Sequence, residues 1–357
     1  MRGRLVCGLV AAVAGVAVSA AGAGGARASL SPGPGSQLWV ARYHGPSNTG
    51  AASSVAVSPG GRRVFVTGVS QGSTSGLDYA TVAYNAATGA RLWVTRYDGP
   101  GNGRDFAHAL AVSPGGGTVF VTGQGKPAAP GDDYATVAYN AATGAQRWAA
   151  LYHGPATGQD AAFSVAVSPG GGAVYVTGAS KATASGLDYE YATVAYNAAT
   201  GALRWAARTP GPVPSYDAAS SVAVSPGGGA VYVTGQSHGT VGLDYATAAY
   251  NAATGAQLWV TRYNGPGGRS DAATSVAASP GGGTVYVTGQ SQGTTTNLDY
   301  ATVAYNAATG AQLWLTRYNG PANTYDAASS LAVSPTTGTV YVTGTEGDAY
   351  ATVAYHP

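Results

Sequence analysis

Residues 250–259 read YNAATGAQLW, and the same ten residues return at 305–314. Near-copies stand at 84–93 (YNAATGARLW), 139–148 (YNAATGAQRW) and 196–205 (YNAATGALRW). Tryptophan falls at 39, 93, 148, 205, 259 and 314, at intervals of 54, 55, 57, 54 and 55 residues. A self-similarity of this period marks a solenoid, a propeller or an array. Within the motif, Asn can cap the turn with its side chain, and Gly can take the positive φ that Thr or Ala resists. The motif therefore reads as strand, turn, strand.

Four short segments recur in every period. The fourth period shows them as SSVAVS (220–225), AVYVTG (230–235), DYATAAYN (244–251) and QLWVTRY (257–263). All are rich in Val, Thr, Tyr or Trp and bounded by Gly, Pro or Asn, which is strand chemistry. No sustained 3.6-residue apolar stripe occurs outside the N-terminal leader. Four antiparallel strands A to D per unit, at this period, describe a propeller blade. Strands A, C and D each occur six times, but the chain starts on a D strand (residues 37–43) and stops on a C strand (350–355). The predicted fold is all-β: a six-bladed β-propeller of four-stranded blades, closed by the N-terminal strand pairing in the last blade. An open array would leave two half-units with bare edges.

The first residues carry Arg2 and Arg4, an apolar run and the small-residue signal Ala26-Arg27-Ala28. This reads as a signal peptide over 1–28, followed by a linker over 29–36 and a single propeller domain over 37–357. The apolar run is short for a membrane span, and no other stretch offers one, so the mature chain is expected to be secreted or at the cell surface. Loss of Arg2, Arg4 and Arg27 leaves 14 basic and 15 acidic residues, a formal net charge of −1. With no basic patch interleaved with aromatics, nucleic acid is not an expected partner. The only cysteine, Cys7, leaves with the leader, so disulfides and cysteine-based metal sites are excluded from the mature chain.

Residues 221–235 (SVAVSPGGGAVYVTG) resemble the YVTN type of propeller repeat. Residues 299–310 (DYATVAYNAATG) are similar to the SBBP-type bacterial repeat, and YNAATGAQLW resembles the pyrroloquinoline-quinone propeller motif ending in TG-x-x-W. The resemblance covers residues 37–357 and implies a propeller. It transfers no active site: the acid, calcium and vicinal-cysteine features of quinone dehydrogenases are missing, and Ala83 and Ala304 stand where SBBP repeats often carry Lys.

G-x-S-x-G occurs at 68–72, 235–239 and 289–293. These are equivalent strand–loop positions without the following helix that a nucleophile elbow needs, so they read as chance matches. The carboxylates say more. Thirteen of the 15 acidic residues are Asp. One set precedes strand A: Asp105, Asp160, Asp217, Asp271 and Asp326, with Gly50 in the first blade. A second set is read at the start of strand C: Asp78, Asp133, Asp188, Asp244, Asp299 and Asp348. The first set is either a ring of ligands near the channel mouth, for a cation or sugar, or a repeated structural clamp on backbone N–H groups or on the Arg that recurs three residues after Trp. His108 and Phe163 break the symmetry at one strand A position, and each is a candidate ligand contact or a core filler. His44 and His153 share a turn position with Asp98, Asn264 and Asn319.

The loops differ by side. Loops A–B (SPGGG) and C–D (NAATG) hardly vary, whereas B–C and D–A vary in length and chemistry and include both lysines, Lys126 and Lys181. Varying loops on a rigid scaffold are where binding usually resides. The sequence therefore points to an exported, non-enzymatic binding or interaction module with a protein or glycan partner on the variable face. The ligand-binding candidates are Asp105, His108, Asp160, Phe163, Asp217, Asp271 and Asp326. No cofactor or metal is expected. The alternative is a propeller-type enzyme (sugar dehydrogenase, lactonase or glycan-cleaving), and Ca2+ or a quinone at the channel mouth belongs only to it.

Overall fold

The computed structural model describes residues 35–357 except Ser73, Ser185 and Thr296, so the signal-peptide reading lies outside the described residues. Residues 39–357 form one compact unit. The first sheet is β1 (Gly50–Val57), β2 (Arg63–Gln71), β3 (Leu77–Asn85) and β4 (Arg91–Tyr97). The second is β5 (Phe106–Val112), β6 (Thr118–Gly125), β7 (Asp133–Asn140) and β8 (Gln146–Tyr152). The third is β9 (Ala161–Val167), β10 (Ala173–Lys181), β11 (Tyr189–Asn197) and β12 (Leu203–Thr209). The fourth is β13 (Ala218–Val224), β14 (Ala230–His238), β15 (Leu243–Asn251) and β16 (Gln257–Tyr263). The fifth is β17 (Ala272–Ala278), β18 (Thr284–Gln292), β19 (Leu298–Asn306) and β20 (Gln312–Tyr318). The sixth has three strands, β21 (Asp326–Val333), β22 (Val340–Glu346) and β23 (Ala349–Tyr355). Every sheet is an antiparallel meander in chain order, so the four strands run A to D as the repeats predict. Residues 36–45 hold no strand, and β23 pairs only with β22. The expected fourth strand of the last sheet is thus not in place.

Sheets pack face to face with their successors through five apolar cores, one per consecutive pair. In the core between the first and second sheets, Phe65, Tyr79, Ala83 and Trp93 meet Ala107, Leu110, Val119, Val121, Val137 and Tyr139. Strand B and C residues alternate between the two faces of a sheet, and both faces are covered in the middle sheets. That is why these strands read as nearly continuous apolar runs.

The repeated motif does two jobs. Asn251 Oδ1 accepts the N–H groups of Ala253 and Thr254 at 3.0 and 3.1 Å, closing the turn. Gly255 then sits at φ 74°, and a Cβ there would lie 2.6 Å from the indole of Trp205, which belongs to the preceding sheet. Glycine is required twice over, by its dihedral and by the ring pressed against it. The Trp205 Nε1–H donates to the Ala252 carbonyl at 3.1 Å. Trp93, Trp148 and Trp259 repeat this bond on Ala141, Ala198 and Ala307, each in the next sheet. The motif is thus a turn and a socket for the neighbour's tryptophan.

Two further bonds repeat between sheets. Tyrosine hydroxyls of Tyr79, Tyr134, Tyr191, Tyr245 and Tyr300 donate to the carbonyls of Ala135, Ala192, Ala246, Ala301 and Ala351 of the following sheet. The Oγ atoms of Ser54, Ser164, Ser221 and Ser275 accept a backbone N–H of the next A strand at 3.2–3.3 Å. Ala109 is the exception, having no hydroxyl.

Candidate functional site

Each carboxylate of the set before strand A is buried at the junction of two sheets. Asp105 Oδ2 accepts the Gly99 N–H at 2.9 Å and its Oδ1 the Lys126 N–H at 2.7 Å. Asp160 does the same with Gly154 and Lys181 at 2.8 and 2.7 Å. Asp271 accepts from Gly265 at 2.7 Å and Gln292 at 3.0 Å. Asp217 accepts the His238 N–H at 2.6 Å, and Asp326 that of Gly320 at 2.6 Å. The main-chain N–H groups of Asp105, Asp160, Asp217 and Asp271 in turn donate to carbonyls of the preceding sheet's B–C connection or strand C. In Asp105, Asp160 and Asp271 one side chain thus ties the incoming D–A loop to the end of strand B, and its own amide ties both to the neighbouring sheet. Burial pushes the Asp105 and Asp217 carboxyls up, and the N–H donors pull them back down.

The second set is shifted by the register. Asp78 pairs opposite Ser70 in the first sheet, but Glu190 is opposite Ser180 in the third and Ala349 is opposite Glu346 in the sixth. Asp188 and Asp348 therefore do not occupy the strand C position; Glu190 and Ala349 do. The arginine after Trp, offered by the sequence as a partner for the first set, meets the acid of this slot instead. Arg96 meets Asp78 at 2.6 Å, Arg208 meets Glu190 at 2.9 Å and Arg317 meets Asp299 at 2.7 Å. Leu151 breaks the arginine series in the second sheet. There His153 Nδ1 lies 2.8 Å from Asp133 Oδ1, and that bond raises the imidazole pKa above its ordinary value.

These contacts bring three groups together twice among the described residues: Asp78, Asp98 and Asp105, and Asp133, His153 and Asp160, with one ligand atom from each within 4.8 Å of the others. The position of Asp98 and His153 looked like a plain turn in sequence. Its exchange among Asp, His and Asn was the legible signal that a polar group there faces the carboxylates. In both groups the buried carboxylates already have partners: Arg96 on Asp78, His153 on Asp133 and two backbone N–H groups on each strand A Asp.

His108 and Phe163 occupy the same β-bulge position in neighbouring A strands, where the extra residue is left out of the ladder. Their ring centroids are 5.5 Å apart. This contact lies beside Ala109, where the serine bond between A strands is missing, so the ring pair bridges the same two strands by other means. Burial lowers the His108 pKa, leaving a neutral imidazole near neutral pH. The structure thus joins His108 to Phe163 and places the five Asp of the ring in separate junctions.

The variable loops lie opposite the NAATG and SPGGG turns, because strands alternate in direction. Lys126 Nζ donates to Gly131 O at 2.6 Å and lies 3.4 Å from Asp132. Lys181 stands 4.6 Å over the Tyr189 ring. Both lysines brace their own loops. The rings of Tyr189, at the start of β11, and Tyr216, in the next D–A loop, meet at 5.1 Å with their planes tilted by 55°.

Six blade-like sheets, joined in sequence by Asp clamps and, across the first four junctions, by Trp sockets, define a pyrroloquinoline-quinone-type propeller repeat protein. The chain belongs to the family described as outer membrane protein assembly factor BamB, whose sequence model matches residues 22–246 and 170–355. No curated protein matches the chain. Among solved structures it is similar to hydrazine synthase of Kuenenia stuttgartiensis, at 14% identity and TM-score 0.55, covering 85% of this chain and 76% of that one. It is also similar to Sqt1 of Chaetomium thermophilum, at 13% identity and TM-score 0.52, covering 85% and 69%. The Dos1 propeller aligns at 10% identity and TM-score 0.51, covering 86% and 81%. At these identities the likeness is one of fold.

Proposed function

We propose that the chain is an exported, non-enzymatic interaction module: a six-bladed propeller ring that holds a protein or glycan partner on its variable-loop face. The observation that carries this reading is the contrast between the two faces. On one, five nearly identical NAATG turns are consumed by the sockets for tryptophan. On the other, loops of unequal length and composition stand on a rigid scaffold. The Asp ring supports the same reading, because its oxygens accept backbone N–H groups and serve the junctions. No cofactor is part of it. Export is supported by the leader-like first 28 residues and by the family description, and no helix among the described residues is long and apolar enough to cross a membrane.

The test is site-specific photo-crosslinking of full-length protein in cells. One probe replaces Val241, which is exposed on the variable face, and another replaces Ala253 on the turn face. Defined adducts from position 241 and none from 253 are the expected result; a glycan array with purified protein covers the saccharide arm. Adducts confined to position 253, or neither an adduct nor a glycan hit, would overturn the proposal.

A further inference from the structure

Asparagine followed by glycine is prone to spontaneous deamidation, because glycine lets the following main-chain nitrogen reach the side-chain carbonyl carbon. The chain holds three such pairs, Asn102-Gly103, Asn264-Gly265 and Asn319-Gly320, and one aspartate counterpart, Asp98-Gly99. All four pairs lie in D–A loops, and the first residue of each is exposed. Solvent access therefore does not separate them. The state of the glycine nitrogen does.

In three of the pairs the Asp clamp takes that nitrogen. Gly99 N–H donates to Asp105 Oδ2 at 2.9 Å, Gly265 N–H to Asp271 Oδ2 at 2.7 Å and Gly320 N–H to Asp326 Oδ2 at 2.6 Å. These three glycines are buried. Ring closure needs the amide nitrogen deprotonated. A buried carboxylate in hydrogen-bond contact holds that proton and opposes negative charge on the nitrogen. The bond must break and the loop must shift before attack. The fourth pair stands outside the clamp. Asn102 lies in the left-handed region at φ 48°, with its own N–H on Gly99 O at 2.9 Å. The Gly103 N–H has no hydrogen-bond partner among the described residues.

We infer that Asn102 is a deamidation site, and that the clamps keep the other pairs intact. Gly103 N attacks Asn102 Cγ, the bond from Cγ to the side-chain nitrogen breaks, and ammonia leaves with the amide proton. Water then opens the succinimide at either carbonyl and leaves aspartate or isoaspartate at position 102. The product sets a new carboxylate on the variable face, two residues from Arg104. The same loop is tied to Lys126, whose carbonyl accepts the Gly101 N–H at 2.9 Å. A loop flanked by two cations thus gains negative charge as the protein ages, and isoaspartate adds a methylene to its main chain. This goes beyond the binding role proposed above and does not depend on what the variable face holds. It also gives the clamps a second consequence: the carboxylates that fix the loops protect the same loops chemically.

The test incubates folded full-length protein in warm, mildly alkaline buffer and follows the three asparagines by peptide mass mapping with isoaspartate detection. Asn102 is expected to convert about tenfold or more faster than Asn264 and Asn319, since each of those must first give up a hydrogen bond to a charged group. In concentrated urea the three should convert at comparable rates, because the dipeptide is then the same. No conversion at Asn102, equal rates in the folded protein, or a lead by Asn264 or Asn319 would each overturn the inference. Asp271→Ala gives a second readout: conversion at Asn264 should rise while Asn319 stays slow. An unchanged Asn264 would refute the shielding. A joint rise of Asn264 and Asn319 reports global unfolding of that variant, and the wild-type ratio then decides.

Discussion

At the scale of single residues, the repeated aspartates act as clamps. Removing one strands two backbone N–H groups in a buried junction, and hydrogen bonds to charged groups contribute about 1.5–3 kcal/mol each. Asp271→Ala is expected to cost about 2–4 kcal/mol in urea unfolding, and a cost under about 0.5 kcal/mol would mean that the side chain does not hold the loop. His153 gives a pH signature. Its bond to Asp133 raises the folded-state pKa above the ordinary value near 6.5. The protonated histidine therefore adds stability that is complete below that ordinary value and is lost as the pH rises through the raised folded value. His153→Asn, which copies Asn264 and Asn319, should flatten this part of the Tm–pH curve. An unchanged curve would remove His153 from the account.

At the scale of elements, the D strands carry a free outer edge and differ from sheet to sheet. Leu258 and Val260 in β16 flank the buried Trp259, Leu313 and Leu315 in β20 flank the half-buried Trp314, and all four point to solvent. In β8 and β12 the same places hold Arg147 and Ala149, and Arg204 and Ala206. Charges on an edge strand discourage strand addition. The double change Leu258→Arg with Val260→Ala should leave Tm within a degree or two, since two sheets already carry that pair, and should reduce concentration-dependent association in light scattering. A large Tm loss would show that the aliphatic pair is part of the fold. The socket is less tolerant. Gly255→Ala meets both a positive φ and the Trp205 ring, and should destabilise by roughly 2–4 kcal/mol by calorimetry.

At the scale of the whole molecule, the tryptophan sockets make each sheet depend on its neighbour, as in other repeat architectures where stability is a sum of units and interfaces. Trp205→Ala should cost about 3–5 kcal/mol and lower the cooperativity of unfolding, read as a broader denaturant transition. A sharp, unshifted transition would deny the coupling.

The repeats made the strands and their order legible, because alternating Val, Thr and Tyr bounded by Gly and Pro leaves few other ways to bury both faces of a sheet. The double role of YNAATGAQLW was half legible: the turn follows from Asn and Gly, but the second demand on Gly255 comes from an indole some 50 residues earlier in the chain. The candidate site was legible as positions and not as partners. Counting from the motif placed Asp188 and Asp348 in a slot that strand register gives to Glu190 and Ala349. It also passed over Asp98 and His153, which meet an acid from strand C of their own sheet and the Asp that leads into the next. By itself the sequence determined the sheet-forming segments, their turns and the family, since these depend on local dihedrals and side-chain periodicity. Only the tertiary structure decided that the Asp carboxylates bond backbone N–H groups, which arginine each strand C acid meets, and that Trp39 is docked on the first sheet through its bond to Ala86 O. Those contacts join residues far apart in the chain, and no local propensity encodes them.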